Sequence, residues 1–155
     1  MYNRFVSDRE NGTNEYDIAL NHKMASLKAK GAESLIIDLR YNRGGYISCA
    51  LRLASALVPV NKMDGYLGSM RFNASYQAAL DAQNTSDASK NYFVREIPGL
   101  TTTYTLQNVN PGPGKLYFLV GPNTASASEI LIFGLKAYEP ITMIGTRTRG
   151  KFMGS

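Results

Sequence analysis

A chain of 155 residues with 44% hydrophobic and 19% charged side chains is long enough to bury one core, and its composition excludes a disordered or fibrous protein. No apolar run reaches the roughly 18 residues of a membrane-spanning helix, and the opening Met1-Tyr2-Asn3-Arg4-Phe5-Val6 lacks the apolar stretch of a signal peptide. The formal net charge of +5 comes from arginines scattered over many segments, with only Lys23, Lys28 and Lys30 clustered, so the pattern is that of a solvated surface and nucleic acid is not an expected partner.

In chain order, Tyr2–Val6 reads as a short strand or entry segment, followed by a polar turn from Ser7 to Gly12. Asn14–Lys30 has helical periodicity, with Ile18, Leu20, Met24 and Leu27 apolar and Gly31 as its stop. Its single histidine, His22, falls on the polar face and reads as a surface residue. Ser34–Leu39 is a mostly apolar run suited to a buried parallel strand. Asp38 and Arg40 at its end read as a structural ion pair. A glycine turn leads to a helix over Ile47–Leu57, stopped by Pro59. Cys49, the lone cysteine, falls in this helix as a small buried thiol and excludes an internal disulfide.

Between Lys62 and Pro113 the pattern changes. Tyr66–Phe72 reads as a strand, Asn73–Asn91 is polar and weakly patterned, and Tyr92–Ile97 with Thr102–Leu106 forms a hairpin across Pro98-Gly99. Then Leu116–Val120 is a second buried strand, Ser126–Tyr138 a helix and Ile141–Ile144 a third strand. Strand–turn–helix units of this kind predict an α/β fold with a mainly parallel sheet flanked by helices. Three Asn-x-Ser/Thr sequons, at Asn11, Asn73 and Asn84, carry meaning only in a glycosylating pathway.

Active sites of such sheets gather beyond the carboxyl ends of the strands. The first strand runs into Arg40-Tyr41-Asn42-Arg43-Gly44-Gly45, the second into Ser126, the third into Lys151. Ser126 and Lys151 lie twenty-five positions apart, across one helix and one strand. A serine with lysine as its base performs acyl transfer without histidine. To accept the proton the amine must be neutral, which requires a fall from about 10.4. Free N–H groups at the helix start, Ala127's above all, with one from Gly44 or Gly45, can hold an oxyanion. The stretch also reads as a capping box, Thr124 or Ser126 with Glu129.

Leu35-Ile36-Ile37-Asp38-Leu39-Arg40-Tyr41-Asn42-Arg43-Gly44-Gly45, Thr124-Ala125-Ser126-Ala127-Ser128-Glu129 and Gly150-Lys151 together resemble the hallmark motifs of the carboxyl-terminal-processing, or tail-specific, serine peptidases. The resemblance covers about half the chain, Ser34–Leu57 and Lys115–Ser155. It implies a ClpP/crotonase-like α/β core and an endopeptidase acting through a Ser126/Lys151 dyad and an acyl-enzyme, often near the C-termini of protein or peptide substrates. No metal or organic cofactor is implied. Many members carry a glutamine four residues beyond the lysine, where this chain has Ser155, and some an acidic residue where it has Ala137. The family's N-terminal helical region and PDZ-type domain have no place here, so residues 1–155 are expected to be an incomplete catalytic core. Within it, 62–113 is an insert that contacts substrate or decorates the core edge. For the full-length parent the resemblance implies the bacterial cell envelope, as a periplasmic or surface-anchored lipoprotein of the Bacteroides type. Two other readings share these motifs: a non-catalytic peptide-binding or scaffolding relative, and a crotonase-like enzyme on acyl thioesters.

Overall fold

The structure, a computed structural model, describes residues 2–6, 13–83 and 89–151. The polar turn at 7–12, the sequons at Asn11 and Asn84 and the Ser155 position lie outside these residues. Strand β1 (Leu35–Asp38), helix α2 (Ile47–Leu57), strand β6 (Leu116–Val120), helix α4 (Ala127–Lys136) and strand β7 (Thr142–Gly145) form the α/β unit that the sequence pattern predicts. The sheet order is β1-β6-β7 and both pairings are parallel, with Leu35 beside Leu116 and Phe118 beside Met143. Upstream, Phe5 makes a single parallel bridge to Gly45, so the entry segment is stitched to the glycine turn.

Helices α2 and α4 pack together on one face of the sheet. Leu39, Leu116 and Phe118 meet Leu53, Leu57, Leu131, Ile132 and Leu135 there, each fully or almost fully buried. In β6 burial alternates residue by residue, the period of a strand with only one covered face. The expectation of strands buried on both faces therefore needs correction: Ile36 is 66% exposed, and all four residues of β7 are exposed.

Around this unit lie helix α1 (Glu15–Ala29), a 3-10 turn at Val60–Lys62, strand β2 (Tyr66–Ser69), helix α3 (Ala74–Ala82), and strands β3 (Lys90–Tyr92), β4 (Glu96–Pro98) and β5 (Thr103–Thr105). The β4–β5 hairpin forms as expected, but the single strand expected over Tyr92–Ile97 divides. Its first part, β3, pairs antiparallel with β2. Helix α3 occupies the segment that reads as unpatterned, because none of its residues is buried and no apolar stripe marks it. Its start is set locally by the Asn73 side chain, which accepts the Tyr76 N–H (2.9 Å). The 62–113 segment is built into the core through Met63, Leu67, Phe93 and Val109.

Helix α1 buries Asp17, Asn21 and Met24, while Leu27 stays exposed. Its docking is largely polar. Asp17 is ion-paired with Arg52 of α2, and Asn14 Oδ1 accepts from the same guanidinium at 2.8 Å. Asn21 donates to the Thr105 carbonyl (2.9 Å) and accepts the Gln107 N–H (2.7 Å). Buried polar groups of this kind are tolerated because each finds a partner.

Candidate active site

Because the three strands of the main sheet are parallel, the loops after β1, β6 and β7 leave from the same edge. Hydrogen bonds lock them together. The Asn42 carbonyl, in the loop after β1, accepts the Ala125 N–H (3.2 Å) and the Ser128 hydroxyl (3.1 Å). Thr124 Oγ1 donates to the Leu39 carbonyl (2.8 Å) and accepts the Gly121 N–H (2.9 Å). From the third loop, the Arg149 N–H donates to the Thr124 carbonyl (3.0 Å). Fully buried Asn42 organises the first loop, donating from Nδ2 to the Tyr2 carbonyl (2.8 Å) and accepting the Gly44 N–H at Oδ1 (2.9 Å).

Ser126 sits at the start of α4 with φ 56° and ψ −119°, a backbone conformation costly for any side-chain-bearing residue. Such strain costs on the order of 1–3 kcal/mol and persists only where the surroundings over-determine it. Gly44 is one such constraint. A Cβ placed on it would lie 2.8 Å from both the Ser126 Cβ and the Ala125 carbonyl oxygen, so only glycine lets the two loops close. Gly45 is equally confined, since a Cβ there would fall 2.0 Å from the Phe5 carbonyl oxygen.

Two backbone amides expected to hold an oxyanion have no acceptor among the described residues: those of Ala127 and Gly45. The Gly44 amide, the third candidate, is committed to Asn42. Ala127 N also lies close to Gly44, 3.0 Å from where its Cβ would be.

The main constraint on the site is Glu129, fully buried in the first turn of α4. Its Oε2 accepts the N–H groups of Ser126 and Lys151, both at 2.9 Å, and its Oε1 accepts the Gly150 N–H at 2.6 Å. The amides of Ser126 and Lys151 thus share one oxygen and lie within twice that distance of each other. Burial works to raise the pKa of this carboxyl, but hydrogen bonds from the Thr148 hydroxyl and from the Gly150, Ser126 and Lys151 amides outweigh it and hold the group below the ordinary glutamate value. The expected capping box is present at Ser126 and Glu129, yet the carboxylate does more than cap: it ties the loop after β7 to the serine turn. Composition offers one hint of this. Glu129 is an acid on the buried face of the helix Ala-Ser-Glu-Ile-Leu-Ile, and a buried charge requires partners.

The structure therefore brings the Lys151 backbone to Ser126, while the Lys151 side chain is exposed to solvent. Asp38 and Arg40 form the expected ion pair, with Arg40 Nε and Nη2 donating to the two carboxylate oxygens at 3.0 and 2.9 Å. Cys49 is buried, and burial together with neighbouring Asp17 pushes its thiol up to about 12, so it is an inert core thiol. His22 is exposed on α1 near the Tyr104 ring, in a different part of the molecule from the serine turn. Among the described residues no His/Cys/Asp/Glu cluster could hold a metal ion, and no helix is long and apolar enough to cross a membrane.

Comparison with known proteins agrees with this architecture. Residues 6–155 match the sequence profile of peptidase family S41. The chain is 25% identical over 130 residues to a carboxyl-terminal-processing protease of Synechocystis sp. strain PCC 6803, which covers 84% of this chain and 24% of that protein. A crystal structure of a candidate S41 protease from Bacteroides fragilis superposes with TM-score 0.70 at 24% identity, covering 98% of this chain and 35% of that one. The photosystem II D1 C-terminal processing protease gives TM-score 0.59 at 24% identity, covering 96% and 30%. The chain thus spans about a quarter to a third of the length of the proteins it matches.

Proposed function

The chain belongs to peptidase family S41, and from that premise we propose that its parent protein hydrolyses peptide bonds with Ser126 as nucleophile and Lys151 as general base. The observation that carries this reading is the Glu129 carboxylate, which holds the amides of Ser126, Gly150 and Lys151 on two oxygens and so anchors the lysine-bearing loop at the serine turn. Ser126 Oγ attacks the substrate carbonyl carbon as its proton passes to the Lys151 amine. The N–H groups of Ala127 and Gly45 receive the negative oxygen of the tetrahedral intermediate. Of the two glycines, Gly45 takes this role because the Gly44 amide is committed to Asn42. Collapse expels the amine, which takes the proton from Lys151 and leaves an acyl-enzyme. Water, deprotonated by the same lysine, then releases the acid and restores Ser126.

A second reading, a non-catalytic peptide-binding relative, draws support from the solvent exposure of the Lys151 side chain. One experiment separates the two: fluorophosphonate labelling and peptide hydrolysis by the full-length parent, beside its Ser126→Ala and Lys151→Ala variants. Labelling is expected to vanish in Ser126→Ala, and turnover to fall about 10²–10⁴-fold in Lys151→Ala with folding retained. Equal turnover in wild type and Ser126→Ala would sink the peptidase assignment. For the parent, this reading carries with it a place in the bacterial cell envelope, which fractionation and detection by antibody would check.

A further inference from the structure

Charge is distributed unevenly around the serine turn. The loops over 38–46 and 146–151 carry five cations, Arg40, Arg43, Arg147, Arg149 and Lys151, against one acid, Asp38. The whole chain has 17 basic and 12 acidic residues, so twelve and eleven remain elsewhere. Nearly all of the net positive charge therefore lies on two short loops, and the rest of the molecule is close to neutral. Among the described residues, the acid in these loops and the one beneath them are already engaged. Asp38 is held by Arg40 at both oxygens, and Glu129 is buried beneath the loops with its oxygens on backbone amides.

Three guanidinium groups remain, those of Arg43, Arg147 and Arg149. All three residues are exposed, and none has an ion-pair partner among the described residues. The chain at Arg43 and at Arg149 adjoins the serine turn. Arg43 immediately precedes Gly44, which packs on Ser126. The Arg149 amide donates to the Thr124 carbonyl, two residues before Ser126, and Arg147 is two residues upstream of Arg149. A guanidinium offers a planar fork of donors matched to a carboxylate, and several fixed near one cleft add up to a field that attracts anions.

Resting on the peptidase reading above, we propose that these two loops form a cationic collar that selects peptides bearing acidic side chains beside the scissile bond. Arg43 meets the chain from one side of Ser126, and Arg147 and Arg149 from the loop that carries Lys151. Each pair is solvent-exposed and individually weak, so discrimination comes from their sum and is screened by salt.

The test uses the full-length parent carrying Ser126→Ala, so that binding is read without turnover. Two fluorescent peptides, identical except for Glu or Gln at the positions flanking the central bond, are titrated by anisotropy, each with a free and an amidated C-terminus. The Glu peptide is expected to bind about tenfold more tightly at low salt. That preference should fall to about twofold near 0.5 M salt and be unchanged by amidation. Adding Arg43→Gln and Arg147→Gln together should abolish the preference, with thermal melting confirming the fold. Equal binding of the Glu and Gln peptides at low salt overturns the collar, and so does a preference that disappears on amidation, which would assign the site to a terminal carboxylate. Fluorophosphonate labelling of the wild type reports on the peptidase reading separately. Intact labelling without a Glu preference sinks the collar alone, whereas a Glu preference without labelling sinks the peptidase alone.

Discussion

Glu129 illustrates how one side chain can govern a site without touching substrate. A neutral isostere, Glu129→Gln, keeps the shape but turns one acceptor into a donor facing backbone N–H groups. It is expected to lower stability by about 2 kcal/mol and to slow peptide hydrolysis by about tenfold or more through loss of positioning. The pH dependence has a definite sign. The folded-state value is depressed below the ordinary glutamate value of 4.5, so the ionised form stabilises the fold fully above that pH, and the contribution is lost as pH falls through the depressed value. Denaturant titrations should therefore show wild type and Glu129→Gln far apart at pH 7 and converging below pH 4.5; a constant gap across that range would contradict the assignment. The roles proposed for Ser126, Lys151 and the glycine pair are legible in the sequence because they depend on residue type and spacing. The role of Glu129 is not, because its partners are main-chain amides that leave no mark on residue identity. The preference for Gly45 over Gly44 in the proposed oxyanion role is not legible for the same reason: it rests on which N–H is already committed to a partner.

At the level of elements, legibility follows the source of stability. Strands β1 and β6 and helices α2 and α4 draw theirs largely from apolar burial, which writes a period into the chain, and their positions can be read from it. Strand β7, all of whose residues are exposed, is legible only as a short run rich in β-formers. Helix α3 buries nothing and depends on one cap, so no period betrays it. Helix α1 is periodic, but the face it buries is centred on Asp17, Asn21 and Met24, and hydrophobic pattern cannot register a polar interface. Asn21 is the test case, since its amide group bridges α1 to the end of β5 and the segment after it by two hydrogen bonds. Asn21→Ala leaves the Thr105 carbonyl and the Gln107 N–H without their partner and should cost about 1–3 kcal/mol, measured by urea unfolding. A change within about 0.5 kcal/mol would mean that α1 is held by its apolar contacts instead.

For the whole molecule, the decisive feature is a parallel sheet covered on one face. Parallel sheets ordinarily bury both, yet Ile36 is 66% and Ile144 49% exposed on strands at the two edges of the β1-β6-β7 sheet. Expressed as these 155 residues, the protein should bind a hydrophobic dye and self-associate, and Ile36→Thr with Ile144→Thr should reduce both without abolishing the fold. A monomeric, dye-silent polypeptide would show that this face is tolerated bare.

The carboxylate clamp at the serine turn also has a consequence in time. Two of the three amides that satisfy Glu129 come from positions 21 and 22 residues further along the chain, the third from Ser126 itself. During synthesis, α4 and its serine emerge before those amides exist, and a buried carboxylate lacking most of its donors favours an open, relaxed turn. The strained backbone at Ser126 is therefore set only after the loop beyond β7 has been made and docked. On the proposed reading, a nascent chain that stops short of Gly150 would carry Ser126 without its clamped geometry, so the order of residues along the polypeptide acts as a timer that delays assembly of the serine turn until that loop has been made.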